Sequence, residues 1–234
     1  YDNAIEQYSI LADMNGNPYM EEACMRVAEL SYDKAEYRTA FYYFQQMNQV
    51  ASSSSKRITA QVGMLRCSQN MADSSSVIDV ASKLLEEEQI DSITRNEALY
   101  CRAKAYWQSE QYGLALVDFT PIAKEVRTQQ GAEAKYLLAA CYYHLGAIDM
   151  AEQEIMSFTQ MRTSHQYWLA KSLILLSDIN VDRQELFQAK QYLLALQNNY
   201  HAQDDIQTAI ESKLQTIAQK EAQQSTDTTY IQQL

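Results

Sequence analysis

A periodic return of small residues is the feature that most constrains the fold of this chain. In each unit of the pattern, a small residue opens the second of two predicted helices. These residues are separated by 36, 37, 38, 36 and 38 positions, and they are Ala4, Ala40, Val77, Ala115, Ala151 and Ala189. On either side of a short polar break, apolar residues recur at intervals of three and four, which is typical of two amphipathic helices joined by a tight turn. A period of this length predicts stacked helical hairpins.

Small residues also stand in the first helix of the pattern, at Ala28, Ala103 and Ala139, and Gly146 stands in a break between two helices. Antiparallel helices approach closely where a small side chain faces a large one, so we expect the alanines at helix crossings. A single hairpin leaves one apolar face uncovered and must stack on the next. The predicted fold class is therefore all-α, an α-α superhelix of antiparallel hairpins.

Composition agrees with long helices, because the 234 residues include only 5 Gly and 2 Pro while 47% are apolar. The longest apolar stretch, within Leu169–Ile179, is interrupted by Lys171 and Asp178. A bilayer crossing needs roughly 20 apolar residues. We therefore expect no direct membrane insertion.

Charge argues against nucleic acid as a partner. The formal net charge is −11, and the longest basic cluster is the pair Lys56 and Arg57. Such a field repels phosphate backbones. We therefore expect no nucleic-acid partner.

No catalytic, cofactor or metal motif is predicted. The three histidines, His144, His165 and His201, are far apart and lack a matching nucleophile or ligand motif. The cysteines stand 43, 34 and 40 residues apart, at Cys24, Cys67, Cys101 and Cys141, which favours buried free thiols over a metal site. The run Glu86–Glu88 lacks a glycine-bearing ligand loop and is interpreted as a solvated helix end.

The repeated pattern resembles the tetratricopeptide repeat family, in which small residues, Tyr, Gly, Tyr, Ala and Phe recur at set positions. Five units fit within residues 18–203, at 21–54, 58–91, 96–129, 132–165 and 170–203. Residues 1–17 resemble the second helix of a truncated preceding unit. Residues 204–223 are predicted to form a capping helix, with Ile206, Ile210, Leu214 and Ile217 on one stripe, and residues 224–234 a disordered tail.

The resemblance implies that the first helices line a concave groove. The corresponding positions are Glu22, Met25, Glu29, Tyr32, Asp33, Thr59, Val62, Arg66, Gln69, Asn70, Glu97, Tyr100, Lys104, Trp107, Gln108, Glu133, Tyr136, Ala140, Tyr143, His144, Lys171, Ile174, Asp178, Val181 and Asp182. We predict a peptide-binding centre where aromatic rings and charges combine, a composition enriched at binding hot spots, at Arg66, Tyr100, Lys104, Trp107, Tyr136, Tyr143 and His144. The alternative is that these rings pack against the helix of the next unit or line a surface that binds nothing.

The predicted function is a non-catalytic protein–protein interaction scaffold, with a peptide or partner protein in the groove. The alternative is a regulatory or sensory module of a larger protein whose enzymatic or DNA-binding part lies upstream of Tyr1. Residues 168–193 are similar in style to large tetratricopeptide proteins of gut Bacteroidetes, which favours a periplasmic or envelope-associated location over the cytoplasm. We also expect weak self-association through the truncated N-terminal end.

Overall fold

The computed structural model describes residues 2–14 and 16–231, with the backbone alone at residues 2 and 225–231. Within these residues it contains twelve helices and no strand, so the predicted all-α class is confirmed. The chain divides into two compact units, unit 1 at Tyr1–Asp118 and unit 2 at Phe119–Leu234. The division falls inside the seventh helix. None of the described helices combines the length and the apolar character that crossing a bilayer demands.

Unit 1 is built from a lone helix followed by consecutive helical hairpins. Its helices are α1 (Asp2–Asp13), α2 (Met20–Asp33), α3 (Tyr37–Val50), α4 (Ser54–Asn70), α5 (Ser74–Leu85), α6 (Ser92–Gln108) and the first part of α7 (Tyr112–Ile122). Each helix packs on the one that follows it, from α1 through α6, and α4 also contacts both α2 and α6. First helices are thereby brought side by side within the unit.

Unit 2 continues with hairpins and ends in a long helix. After the end of α7 it contains α8 (Gln129–His144), α9 (Ile148–Gln160), α10 (Gln166–Asp182), α11 (Leu186–Asn199) and α12 (Asp205–Ile231). The first helices α8 and α10 contact each other, and α12 packs on both α10 and α11. Ile206, Ile210 and Ile217 of α12 are buried in that packing.

One turn geometry joins the two helices of every hairpin. At the first turn, the Ala35 N–H donates to the Tyr32 carbonyl and the Glu36 N–H donates to the Ser31 carbonyl, both at 2.9 Å. This pair of bonds satisfies the last carbonyls of the helix and requires one residue in the left-handed region. That residue has φ between 54° and 74° at Ala35, Ala72, Glu110, Gly146 and Gln184. Only one of these five positions carries glycine, although glycine adopts the conformation with least strain.

Most of the small anchor residues lie fully inside the helix crossings. Relative exposure is 5% at Val77 and 0% at Ala28, Ala40, Ala103, Ala115, Ala139, Ala151 and Ala189. Gly146 has no packing role of this kind, because it is exposed and serves the turn. Ala4 is also exposed, contrary to its expected anchor role, since no described helix precedes α1 and packs against that face.

The C-terminal helix differs from its predicted extent. It continues to Ile231, past the expected end at residue 223, so most of the tail predicted at residues 224–234 belongs to a helix. The apolar stripe ends at Ile217, but residues 218–224 are all Ala, Gln, Lys or Glu, which favour helix without a buried face, and the helix continues from them into residues 225–231. Residues 232–234 lie outside the described residues.

Candidate protein-binding groove

The residues of the predicted binding centre are divided between the two units. Arg66 lies on α4 and Tyr100, Lys104 and Trp107 lie on α6, all within unit 1. Tyr136, Tyr143 and His144 lie on α8 within unit 2. Every one of them is on the first helix of its hairpin. Their surroundings within each unit differ.

In unit 2 the predicted aromatic residues meet the neighbouring first helix, α10. The ring of Tyr136 stacks on Trp168, with centroids 5.8 Å apart and planes 26° from parallel. The Tyr143 hydroxyl donates a 2.6 Å hydrogen bond to Asp182 Oδ2, and this bond is the main reason that the pKa of Tyr143 is raised to about 12. The ring of the exposed His144 stands edge-on to Tyr143 at 5.8 Å. Two of these rings therefore serve contacts between hairpins.

In unit 1 the predicted aromatic residues lie along α6. Lys104 Nζ sits 5.4 Å from the centroid of the Tyr100 ring, and Trp107 packs edge-on against Tyr112 at 5.1 Å. Tyr100 and Lys104 line a cavity of about 240 Å³ together with residues of α4, α5 and the turn between them. Gln108 closes one side, where it accepts a 3.0 Å hydrogen bond from Ser74.

A larger cavity of about 550 Å³ opens between the first helices of unit 1. We call it the unit 1 groove, and it is lined by Glu29, Tyr32, Asp33, Phe44, Ser55, Ile58, Thr59, Val62, Gly63, Arg66, Gln89, Asp91 and Thr94. Six of these coincide with groove positions implied by the family resemblance, namely Glu29, Tyr32, Asp33, Thr59, Val62 and Arg66. Of the predicted binding centre, Arg66 is the residue that lines it.

Polar contacts brace the sides of the unit 1 groove. The Arg66 guanidinium donates to both carboxylate oxygens of Glu97 at 2.9 and 3.1 Å, which ties α4 to α6 and raises the pKa of Arg66. Paired hydrogen bonds of this kind hold the planar guanidinium in a fixed orientation. On the other side, Asn70 Nδ2 donates to the Tyr32 hydroxyl at 3.1 Å and ties α4 to α2. These contacts tie α4 to the first helices on both sides of it.

The floor of the groove depends on two residues that the sequence pattern did not single out. Phe44 is 7% exposed, and a Cβ added at Gly63 would lie 2.6 Å from three atoms of its ring. Gly63 thus permits the ring to lie against the α4 backbone. A lone glycine in the middle of an otherwise helical segment is the signal that could have identified this contact. Ile58 and Val62 complete the apolar floor and are partly exposed.

Carboxylates dominate the charge of the groove lining. Glu29, Asp33 and Asp91 line it, against the single described cation Arg66. Asp91 also caps α6, accepting hydrogen bonds from the Ile93 and Thr94 backbone and from the Thr94 hydroxyl, and these bonds hold its pKa below the usual value. The lining therefore carries net negative charge at neutral pH.

Reactive groups are scattered rather than assembled. His165 Nε2 lies 3.0 Å from the Arg127 carbonyl, whereas His144 and His201 are exposed. The four cysteines are buried free thiols, as predicted, and burial raises the pKa of Cys67 to about 11 and of Cys101 and Cys141 to about 12. Across the described residues no three His, Cys, Asp or Glu side chains meet as a ligand set for a metal ion.

The Glu86–Glu88 run is not uniformly solvated. Glu87 accepts hydrogen bonds from Arg57 at 2.7 and 3.0 Å and from Gln61 at 3.2 Å, and the Arg57 bonds are the main reason that its pKa is lowered. Glu86 and Glu88 on either side are exposed. The central residue therefore links α4 to the end of α5, a role that charge patterning alone did not indicate.

Two matches relate this chain to known proteins. A crystal structure of a tetratricopeptide repeat protein from Parabacteroides merdae ATCC 43184 is similar, with 15% identity and a TM-score of 0.44 over 90% of this chain and 97% of that chain. Among curated proteins there is no match. The family described as the TT21 fifth ARM repeats domain matches residues 21–143, slightly more than half of the chain. The predicted repeat-protein relationship is thus confirmed, and the chain belongs to the TT21 fifth ARM repeats domain family.

Proposed function

We propose that this chain is a non-catalytic protein–protein interaction scaffold in which the unit 1 groove binds a segment of another polypeptide. Its helical repeat fold is typical of proteins that bind other proteins and that generally lack catalytic activity. Stacked hairpins bring several helices side by side and leave an extended surface between them. Such a surface suits a flexible chain better than a small substrate.

The observation that carries the proposal is the open cavity between α2, α4 and α6. Its volume of about 550 Å³ falls in the range of sites that enclose ligand groups. Its lining combines an apolar floor at Phe44, Ile58 and Val62 with hydrogen-bonding side chains at the rim. A peptide requires both, because its side chains seek apolar contacts while its backbone requires hydrogen-bond partners.

Filling the groove tests this function. Random dodecapeptides displayed on phage would be selected against the whole chain, and enriched peptides measured by fluorescence anisotropy. Thr59 is exposed on α4 and lines the groove, so Thr59→Trp places a large ring in the cavity. The expected result is a loss of affinity of at least about tenfold, which is the size of a strong interface contact.

Thr39→Trp is the matched control, since Thr39 is also exposed, lies on α3 and does not line the groove. It should leave affinity unchanged. Circular dichroism and thermal unfolding would establish that both variants fold. Enriched peptides that bind wild type and Thr59→Trp equally well would exclude the groove as the binding site, and a selection that enriches no peptide would count against the proposed function itself.

We also infer weak self-association through α1, because its outer face is apolar and uncovered among the described residues. Ile10 and Leu11 on α1 are 52% and 38% exposed, and Met14, which follows the helix directly, is 55% exposed. In the repeat register Leu11 corresponds to Met47, which is 1% exposed. Exposed apolar patches of this kind favour association.

Sedimentation equilibrium over a hundredfold concentration range tests this second inference. Wild type should show a concentration-dependent rise in mass, and Ile10→Glu with Met14→Glu should abolish it. Ile93→Glu, at a residue that is 78% exposed elsewhere in unit 1, is the matched control and should retain the association. A mass that stays monomeric at every concentration would rule the inference out.

A further inference from the structure

We propose that the polypeptide segment bound in the unit 1 groove is cationic, with an apolar side chain flanked by Lys or Arg. This inference rests on the proposed function and specifies the chemistry of its partner. It is carried by two independent features of the lining, the sign of its charge and the position of its apolar floor.

The charge of the lining favours a cationic segment. Three carboxylates, at Glu29, Asp33 and Asp91, face one cavity, and Asp33 is exposed to solvent there. Arg26 donates to Glu29 at 3.2 Å, but it also donates to Glu22 at 2.9 Å and so is shared between two carboxylates. A negative rim attracts and orients a positive segment.

An anionic segment finds no unengaged cation among the described lining residues. Arg66 is the cation of the lining, and its Nε and Nη2 are directed at Glu97. A phosphorylated or acidic peptide would have to share this guanidinium with the Glu97 carboxylate. The remaining carboxylates would repel it, and the formal net charge of −11 adds to that repulsion.

The floor specifies where an apolar side chain enters. Ile58 and Val62 are one helical turn apart on α4 and remain partly exposed, while Phe44 lies beneath them against Gly63. Water over this floor is displaced favourably by an aliphatic or aromatic side chain. The acidic residues Glu29 and Asp33 lie on α2 and Asp91 lies beside α6, so the floor has carboxylates on both sides. An apolar residue with basic neighbours matches that arrangement.

The composition of the selected dodecapeptides tests the inference. Peptides that bind wild type but not Thr59→Trp should share an apolar residue with Lys or Arg within two positions of it. Their affinity should fall as ionic strength rises from about 0.05 to 0.3 M, because added salt screens attraction between exposed charges. Replacing each Lys with Glu in one enriched peptide should reduce binding at least about tenfold.

A matched pair of protein variants separates local from overall charge. Glu29→Gln with Asp33→Asn removes two charges from the groove, whereas Glu86→Gln with Glu88→Gln removes two from exposed positions outside it. We expect the first pair to weaken an enriched peptide about tenfold and the second to weaken it less than about twofold.

The outcomes distinguish this inference from the function on which it rests. Groove-dependent peptides that are acidic or uncharged, or equal effects of the two variant pairs, would overturn the cationic partner and leave peptide binding intact. Failure to obtain any peptide sensitive to Thr59→Trp would overturn both. Basic, apolar-anchored peptides that respond to the groove pair alone would establish the inference.

Discussion

Two first helices, α4 in unit 1 and α8 in unit 2, occupy the same place in their hairpins but have different surroundings. Beside α4 the ring of Phe44 fills the space at Gly63, and a cavity of about 550 Å³ remains next to Thr59 and Val62. Beside α8 the rings of Tyr136 and Tyr143 are taken up by Trp168 and Asp182 of the next hairpin. A large aromatic ring on a first helix therefore does not by itself mark a binding surface, because a complementary neighbour can engage it. Beside Thr59 and Val62, by contrast, volume remains that a partner can fill.

The largest expected effect comes from breaking the packed arrangement in unit 2. Trp168→Ala removes the ring on which Tyr136 stacks. The same ring packs beside the buried residues Val126, Ala132 and Phe158. We expect a loss of about 3 kcal/mol in the free energy of unfolding, the usual range for deleting a large aromatic side chain from a packed site. Urea denaturation followed by circular dichroism measures it.

Phe187→Ala is the control for that experiment. Phe187 is a large ring on α11 that is 68% exposed, so its removal should change the free energy of unfolding by less than about 0.5 kcal/mol. If the two substitutions had similar effects, the Tyr136–Trp168 contact would have no special part in joining α8 to α10.

In unit 1 the corresponding test is to fill the space that glycine provides. Gly63→Ala would place a Cβ 2.6 Å from the ring of Phe44, which is buried, so we expect destabilisation of about 2 kcal/mol from overpacking. Gly113→Ala is a matched control in α7, because an added Cβ there meets nothing within 4 Å. It should stabilise the chain by about 0.5–1 kcal/mol, since alanine favours helix. Thermal unfolding that shifts in the same direction for both would refute the close approach at Gly63.

The sequence predicts the fold better than it predicts the contacts of individual aromatic side chains. The period of the anchors and the spacing of apolar residues identify the helical hairpins, since both follow from local helix geometry and from the need to bury one face. Whether Tyr136 faces a partner or a neighbour depends on Trp168, in a different hairpin, and no local pattern encodes that pairing. An apolar stripe does not predict the full extent of α12 either, because the stripe ends at Ile217 while the helix continues through the good helix formers at residues 218–224 to Ile231.

Alkaline pH tests the second aromatic contact of unit 2. Neutral Tyr143 donates to Asp182, and its raised pKa of about 12 means that the fold favours the protonated hydroxyl. The stability that it contributes is therefore fully present below the unfolded pKa of about 10 and is lost as pH rises from about 10 to 12. Tyr143→Phe should cost about 1 kcal/mol at pH 8 and progressively less above pH 10. A cost that did not change with pH would argue against the hydrogen bond.

The smallest effects concern the turn geometry that recurs in the hairpins of each unit. Gly146→Ala forces a side chain into the left-handed region at φ 74° and should cost about 1 kcal/mol. Gln184→Gly and Ala72→Gly relieve the same strain at φ 63° and 54°. Glycine also gives the unfolded chain greater freedom, which offsets about 0.5 kcal/mol of that gain. Each substitution should therefore raise the free energy of unfolding by a few tenths of a kcal/mol. Opposite signs for Gln184→Gly and Ala72→Gly would show that the turns of the two units differ.

Hydrogen–deuterium exchange with and without a selected peptide tests the central claim most directly, because it reports protection for every backbone segment at once. The account predicts slower exchange in α2, α4 and the start of α6, which border the unit 1 groove, and no change in α8 or α10. Protection confined to α8 and α10, where Tyr136 and Tyr143 lie, would contradict it.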